Sequence, residues 1–176
     1  ASRVYEFSSE LLITTIRDFE SDGALCREQR FTWDCNQRLA HHTVCDGNGA
    51  TVRSTSYEYD SYGNPIAEAI SGDLTGKGDI PSYTIRRTFS NDGRNLLLSE
   101  VGDDGASISH TYLPGTNLRT ATYRGDKKHI LRREFWVYNR EHLLIEHVVD
   151  DGHGKSRDDL TGVTERRYTR YVLRQK

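Results

Sequence analysis

The sequence predicts an all-β fold in which tandem antiparallel β-hairpins add side by side to a single-layer sheet. Three observations lead to this fold class. An aromatic-x-aromatic signature returns about every 26 residues, and a fixed period of this length is the mark of a repeat architecture. Asp, Asn and Gly turn signals separate short segments rich in β-branched and aromatic residues. No stretch keeps the apolar spacing of a helix over three turns.

The first element of each repeat is an aromatic strand. In the clearest copy Tyr57 and Tyr59 are two residues apart, so they share one face of a strand. The second aromatic of the six copies stands at positions 7, 33, 59, 89, 112 and 138. We therefore expect aromatic strands near residues 5–8, 31–34, 57–60, 86–90, 110–113 and 135–139, with a final strand near 165–173.

A turn and a returning strand complete the unit. After Tyr59, Asp60 can bond its own backbone and Gly63 can supply a positive φ. The apolar segment 66–70 then returns, and a second turn of the kind seen at 46–49 closes the hairpin pair. Residues 11–19 come nearest to a helical spacing, but their Ile-Thr-Thr-Ile centre is β-prone, so we expect a strand there after a less regular turn.

Residues 57–64 (YEYDSYGN) resemble the defining motif of the RHS/YD-repeat family, Tyr-x-Tyr-Asp-x-x-Gly-Asn/Arg. Residues 33–39 and 89–94 are degenerate copies, and the other three copies keep the aromatic but lose the Asp or the Gly. The resemblance extends over roughly residues 3–172. Repeats of this family build a long antiparallel ribbon that spirals into a hollow shell around another polypeptide, in bacterial RHS toxins, insecticidal toxin complexes and teneurins.

The resemblance implies an elongated, twisted and curved sheet that is one segment of a β-shell. Residues 1–176 would form a single YD-repeat array of about six units, a fragment of a much longer chain that is secreted or displayed at a cell surface. The implied function is structural: the array adds wall to a shell that encapsulates a toxin or effector polypeptide. The implied partners are neighbouring YD repeats of the parent chain and the enclosed polypeptide. A carbohydrate- or cell-surface-binding hairpin repeat is the alternative, because aromatic hairpins can present rings to sugars.

Composition agrees with an ordered, thin sheet. Only 35% of the residues are hydrophobic, which suits a sheet where cross-strand pairs replace a central core. Ten Tyr, five Phe and two Trp argue against disorder. The net charge of −2 comes without a basic run, so nucleic acid is not an expected partner. No apolar stretch reaches the roughly 18 residues of a membrane helix, so membrane insertion is not expected either.

We expect no catalytic, cofactor or metal site. The sequence has no Gly-x-Ser-x-Gly elbow and no His-Glu-x-x-His motif, so we expect no enzyme activity. Soft metal ligands come closest together at Cys35, His41, His42 and Cys45, but their spacing is not that of a zinc site. We expect free thiols there and a hairpin whose tip carries both histidines. A Cys35–Cys45 bridge across this hairpin is the alternative.

Three further patterns give expectations about loops and edges. The sequence DLTG occurs at 73–76 and again at 159–162, which predicts two elongated inter-repeat loops. Paired acids at 103–104, 150–151 and 158–159 are expected in solvated turns. A ribbon of this kind has open edges, which predicts self-association through an edge or a terminal strand that folds over it.

Arginine pairs precede three aromatic strands, at 86–87, 132–133 and 166–167. Alternation sends the two members of a pair to opposite faces. We expect one member to stack on a neighbouring aromatic ring and the other to meet an acid of the next strand. A carbohydrate or anion groove on the same surface is the alternative.

Overall fold

The computed structural model describes residues 1–73 and 82–172, where thirteen strands and no helix are found. The strands are β1 (Ser2–Phe7), β2 (Ile13–Phe19), β3 (Leu25–Trp33), β4 (Leu39–Asp46), β5 (Thr51–Tyr59), β6 (Pro65–Gly72), β7 (Ser82–Phe89), β8 (Leu97–Gly102), β9 (Ser107–Tyr112), β10 (Arg119–Gly125), β11 (Ile130–Tyr138), β12 (Leu144–Asp150) and β13 (Arg166–Arg170). The all-β prediction is confirmed. No helix in the described residues is long and apolar enough to cross a membrane.

The strands follow one another in the sheet in the same order as in the chain, and the pairs are antiparallel. This order is what tandem hairpins produce, because a short turn places each strand beside the one before it. The chain divides into two compact units, Ala1–Arg86 and Arg87–Lys176. The first contains β1 to β6 and most of β7, and the second contains the end of β7 and β8 to β13.

Cross-strand charge ladders, rather than a large core, hold the first unit together. Arg17 on β2 donates to Glu6 on β1 at 2.5 Å and to Glu28 on β3 at 2.6 Å, and Arg30 also pairs with Glu28. Among the described apolar side chains of this unit, only Cys45 and Ala67 are buried. A sheet with both faces partly solvated therefore depends on its side-chain pairs.

The second unit has a small apolar core on one face of its sheet. Ala121, Tyr123, Phe135 and Val148 from β10, β11 and β12 are buried there, with Ile130 packed beside them. Residues 151–165, which we call the cap loop, connect β12 to β13 and lie over this face. The Tyr123 hydroxyl donates to the carbonyl oxygen of Lys155 in this loop at 2.7 Å. A long connection therefore covers one face of the single-layer sheet locally.

Most of the predicted strands and loops can be compared directly with those of the structure. The predicted aromatic strands coincide in position with β1, β3, β5, β7, β9 and β11, and the predicted final strand with β13. The segment expected to be a strand within 11–19 is β2, which begins at Ile13. The second DLTG sequence lies in the cap loop, as expected of a connector. Of the first DLTG sequence only Asp73 is described, so that expectation lies outside the described residues.

Candidate functional site

The YD motif is a hairpin turn organised by one carboxylate. The Oδ1 atom of Asp60 accepts hydrogen bonds from the backbone N–H groups of Tyr62 and Asn64, each at 2.9 Å. The Asn64 side chain also donates to Asp60, and this bond is the main reason that the pKa of Asp60 lies below its usual value. Gly63 has φ 90°, a left-handed conformation that glycine adopts at little cost. The consensus residues Asp and Gly therefore build the turn.

The degenerate repeats use the same turn with different residues. Asp34, Asn139 and Ser8 accept the equivalent pairs of backbone hydrogen bonds with their side-chain oxygens. The left-handed glycine is replaced by non-glycine residues that keep a positive φ, namely Gln37 (60°), His142 (61°) and Leu11 (63°). The turn before β2 is thus regular, which corrects the expectation of a less regular one. Hydrogen bonding of the acceptor residue holds the backbone in place where the sequence lacks glycine.

Leu11 is the position where this substitution is least favourable. A left-handed conformation costs a side-chain-bearing residue about 1–2 kcal/mol, and Leu11 is 82% exposed, so it recovers little by burial. We expect Leu11→Gly to raise the free energy of unfolding by about 0.5–1 kcal/mol, after the greater freedom of glycine in the unfolded chain is deducted. Urea denaturation measures the change. The reciprocal control, Gly63→Ala, should lower stability by about 1 kcal/mol, and a destabilised Leu11→Gly protein would contradict the argument.

The second aromatic residue of a repeat links successive hairpins. Its ring hydroxyl or indole N–H donates to the backbone carbonyl of the first residue of an earlier strand, and we call this contact an aromatic clamp. The four clamps run from Trp33 to Ile13 (2.8 Å), Tyr59 to Leu39 (2.8 Å), Tyr112 to Leu97 (2.9 Å) and Tyr138 to Arg119 (3.0 Å). The two other second aromatics, at 7 and 89, are Phe and carry no donor. The period of the sequence is therefore the period of the clamps.

Arg38 strengthens the clamp of Tyr59. Its guanidinium lies 4.6 Å from the centre of the Tyr59 ring and donates to the carboxylate of Asp34 at 2.7 Å and to the carbonyl of Asp60 at 3.1 Å. One side chain thus joins the turn of one repeat to the turn of the next. Burial raises the pKa of Tyr59, which keeps its hydroxyl protonated as a donor.

Removing the hydroxyl of one clamp should have a measurable effect. We expect Tyr59→Phe to lower the free energy of unfolding by about 1 kcal/mol, because the carbonyl of Leu39 loses its donor. Tyr57→Phe is the matched control, since its hydroxyl has no hydrogen-bond partner among the described residues. Thermal or urea unfolding of both variants compares them. Equal stabilities of the two variants would show that the clamp contributes nothing.

In two repeats the first aromatic stacks on a histidine across the strand pair. Phe31 lies face to face with His42 at 4.6 Å between ring centres, and Trp136 lies face to face with His147 at 5.2 Å. Each pair is directly opposite in register. Burial is the main cause of the lowered pKa of His42. The sequence expectation placed His41 and His42 at a hairpin tip, but they lie within β4, because the turn is formed earlier by residues 34–38.

A fully buried ion pair anchors the cap loop of the second unit. The side chains of Arg133 on β11 and Asp150 at the end of β12 are 0% exposed, and Arg133 donates to both carboxylate oxygens of Asp150. The same guanidinium donates to the carbonyls of Gly154 (2.8 Å), Ser156 (3.0 Å) and Asp159 (2.8 Å). All five N–H groups of Arg133 therefore have acceptors. We call Arg133, Asp150 and these three carbonyls the Arg133 cluster.

The end of the cap loop is fixed by Asp151. Its carboxylate accepts hydrogen bonds from the Thr164 hydroxyl, from the N–H of Thr164 at 2.8 Å and from the N–H of Glu165 at 3.1 Å. These bonds, the one from the Thr164 hydroxyl foremost, lower the pKa of Asp151 to about 2. Arg133 consequently ties the middle of the loop to the sheet, and Asp151 ties the beginning of the loop to its end.

The Arg133 cluster corrects two sequence expectations. Asp150 is not a solvated turn residue, because the cap loop covers it and Arg133 pairs with it. The sequence predicted that one arginine of a pair stacks on an aromatic ring and the other meets an acid of the next strand. Arg133 makes both contacts, because its guanidinium lies 5.3 Å from the centre of the Phe135 ring and donates to Asp150 at the end of β12. Phe135 is two residues from Arg133 and so shares its face, while Asp150 is its direct partner in register. Arg132 instead meets Glu134 of its own strand at 3.3 Å.

The cysteines and histidines form no common centre. Cys26, Cys35 and Cys45 are free thiols, of which only Cys45 is buried. Within residues 1–73 and 82–172, no three His, Cys, Asp or Glu side chains are grouped so that they could hold a metal ion. What the described side chains form is a set of contacts between hairpins and one anchored loop.

Comparison with known proteins places this fold. No protein-family model and no curated protein matches the sequence. The crystal structure of TcdB2-TccC3-Cdc42 is similar at a TM-score of 0.53 and 10% identity, over 84% of this chain and 10% of that chain. The crystal structure of TcdB2-TccC3 without its hypervariable C-terminal region has a TM-score of 0.45 and 13% identity, over 85% of this chain and 9% of that chain.

The chain thus spans about a tenth of the length of the chains that it matches. At this level of identity the likeness concerns the fold. The likeness to the TcdB2-TccC3-Cdc42 structure is consistent with the fold implied by the motif at residues 57–64. The resemblance of this chain to the RHS/YD-repeat proteins is therefore confirmed at the level of the fold.

Proposed function

We propose that this chain is a structural module that adds wall to an RHS/YD-type shell, which encapsulates a toxin or effector polypeptide, and that it has no catalytic activity of its own. The aromatic clamps are the observation that carries the proposal. The same contact joins successive hairpins four times, so a wall of any length can be built by repeating it. Such a module acts by steric exclusion and needs no specific site.

The outermost strands support assembly with further repeats. β1 and β13 each pair with one neighbouring strand among the described residues, and every residue of β1 is exposed. An open edge presents unpaired N–H and C=O groups that can accept another strand. The partners in this proposal are further YD repeats and the enclosed polypeptide, within a larger protein that is secreted or displayed at a cell surface. Self-association of the isolated chain through β1 or β13 follows from the same open edges.

The contacts of the two tryptophan side chains favour the shell function over the carbohydrate-binding alternative. The indole N–H of Trp33 donates to the carbonyl of Ile13, and one face of Trp136 is stacked on His147 while Arg119 lies 5.9 Å from its ring centre. Sugar-binding platforms need an aromatic face that is open to the ligand. One face of the Trp136 ring is covered by His147, and the Trp33 indole is held in place by its hydrogen bond to Ile13.

Protease protection tests the proposal in a longer protein that contains these repeats and a polypeptide within the shell. We expect the enclosed polypeptide to resist protease in the wild type and to be cleaved when two clamps are broken by Trp33→Ala and Tyr59→Ala. Tyr57→Phe, which leaves the clamps intact, should retain protection. An enclosed segment that is cleaved equally in all three proteins would overturn the shell proposal.

A glycan array tests the alternative with the chain itself. Binding that is lost on Trp33→Ala or Trp136→Ala would favour a carbohydrate-binding module, and silence across a broad array would count against one. Sedimentation of the chain tests self-association, since a single monomeric species with both outer strands uncovered would contradict it.

A further inference from the structure

A cavity of about 480 Å³ lies between the turn of β10 and β11, strand β9 and the cap loop. Its volume is within the range of small-molecule sites, about 300–1,000 Å³. The buried ring of Tyr123 lines it, and Ser109 lies directly opposite Tyr123 in register. The cavity is separate from the aromatic clamps and belongs to the second unit alone.

Positive charge converges on this cavity. Lys127, Lys128 and Lys155 line it, and none of the three has an ion-pair partner among the residues that the structure describes. Arg124 also borders the cavity, but it is adjacent to Tyr123 on β10, so its side chain points to the other face of the sheet. The one carboxylate in the lining is Asp126. Three cations around one carboxylate leave an excess of positive charge that an anion can neutralise.

The carboxylate of Asp126 is engaged by its own turn. It accepts hydrogen bonds from the backbone N–H groups of Lys128 and His129, each at 2.7 Å, and the His129 ring lies 3.5 Å away. The backbone bonds are the main reason that the pKa of Asp126 is lowered. Its negative charge is therefore directed into the turn, and the lysine ammonium groups stay available for a ligand.

Two structural features fix the positions of the cations. Gly125 closes the β10–β11 pair at a register shift, and a Cβ there would meet the carbonyl oxygen of His129 at 2.0 Å, so the turn that carries Lys127 and Lys128 requires glycine. The hydroxyl of Ser107 donates to the carbonyl of Asp126 at 3.1 Å and ties the same turn to β9. On the other side, the bond from Tyr123 to the carbonyl of Lys155 places that lysine at the rim.

We propose that this cavity binds a phosphate-type oxyanion, free or as the ester group of a phosphorylated sugar. Ammonium groups form the strong charge-assisted hydrogen bonds that such oxyanions accept. The hydroxyl of Ser109 adds a neutral donor beside them, and the ring of Tyr123 offers an apolar wall to the carbon skeleton of an ester. The site is independent of the proposed shell function.

Amide NMR titration of the chain tests the proposal with inorganic phosphate, glucose 6-phosphate and glucose as probes. We expect saturable shifts at the N–H groups of Gly125 and of residues 126–130 with the first two probes. The double variant Lys127→Ala/Lys155→Ala should weaken phosphate binding by about tenfold or more, since charge-assisted hydrogen bonds are lost. Arg53→Ala, which removes an exposed cation of the first unit, is the control for a charge away from the cavity and should bind like the wild type.

The outcomes distinguish free phosphate from a phosphorylated sugar as the ligand, and they decide whether the proposal holds. Tighter binding of glucose 6-phosphate than of inorganic phosphate would assign the site to a sugar ester, and the reverse order would assign it to the free anion. Equal shifts with glucose would show that the charge is irrelevant and overturn the proposal. Shifts that never saturate, or that persist unchanged in the double variant, would also overturn it. Unchanged amide signals of β11 and β12 verify that the second unit of the double variant is folded.

Discussion

Replacing Arg133 with leucine is expected to lower the free energy of unfolding of the second unit by about 3–5 kcal/mol, the loss typical of breaking a buried ion pair. The substitution leaves Asp150 charged and 0% exposed without its partner. It also removes the donors to the carbonyls of Gly154, Ser156 and Asp159, so the cap loop loses its anchor. Each buried acceptor without a donor adds to the loss.

The two tryptophans allow each unit to be followed separately. Trp33 lies in the first unit and Trp136 in the second, so fluorescence of Trp136 in a Trp33→Phe background reports the urea unfolding of the second unit. Arg132→Ala is the control, because Arg132 is adjacent, has a side chain that is 57% exposed and should contribute less than about 1 kcal/mol. The double variant Arg133→Leu/Asp150→Leu should recover part of the loss, since no buried charge is left unpaired. An Arg133→Leu protein as stable as Arg132→Ala would refute the anchoring role.

Gly72→Ala is the second change for which we expect a large effect. Gly72 ends β6 with φ 141°, and a Cβ there would meet the carbonyl oxygen of Val52 at 2.2 Å and the Cα of Arg53 at 2.7 Å. These are backbone atoms of the neighbouring strand, so they move only if the β5–β6 pair separates. We expect the first unit to lose about 3 kcal/mol of stability, from overpacking and from the left-handed backbone together.

Gly23→Ala separates the two causes. Gly23 has φ 86° in the turn between β2 and β3, and a Cβ there meets nothing within 4 Å. Only the left-handed conformation is penalised, at about 1–2 kcal/mol. Fluorescence of Trp33 in a Trp136→Phe background compares the two variants in urea. Equal losses would mean that the close approach of Val52 to Gly72 has no energetic consequence.

The local chemistry of the repeats was readable from the sequence. Asp60 and Gly63 lie three residues apart, and their turn depends on hydrogen bonds within five residues. Tandem turns of this kind bring each strand beside the preceding one, so the strand order followed as well. The 26-residue period also predicted which aromatic residues recur on the strands. It did not predict the backbone carbonyls to which they donate hydrogen bonds.

The interpretation of charged and polar side chains was less successful. Asp150 stands in an acidic, glycine-containing segment that is typical of a solvated turn, yet it is buried. His42 was expected at a hairpin tip and lies instead in β4 against Phe31. Leu11 and His142 adopt a left-handed backbone although nothing in their side chains favours it. A contact from another segment decided the burial of Asp150, whereas hydrogen bonds within one turn decided the position of His42 and the backbone of Leu11 and His142.

The sequence by itself therefore determined the repeat, its hairpin turns and the order of the strands, because these depend on residues that are close along the chain. Tertiary structure alone decided the burial of Arg133 with Asp150, the path of the cap loop over Tyr123 and the cation-lined cavity beside it. Their partners are separated by 17 to 32 residues. Periodicity carries no information about such contacts, since their stability arises only when the covering loop removes water from both partners.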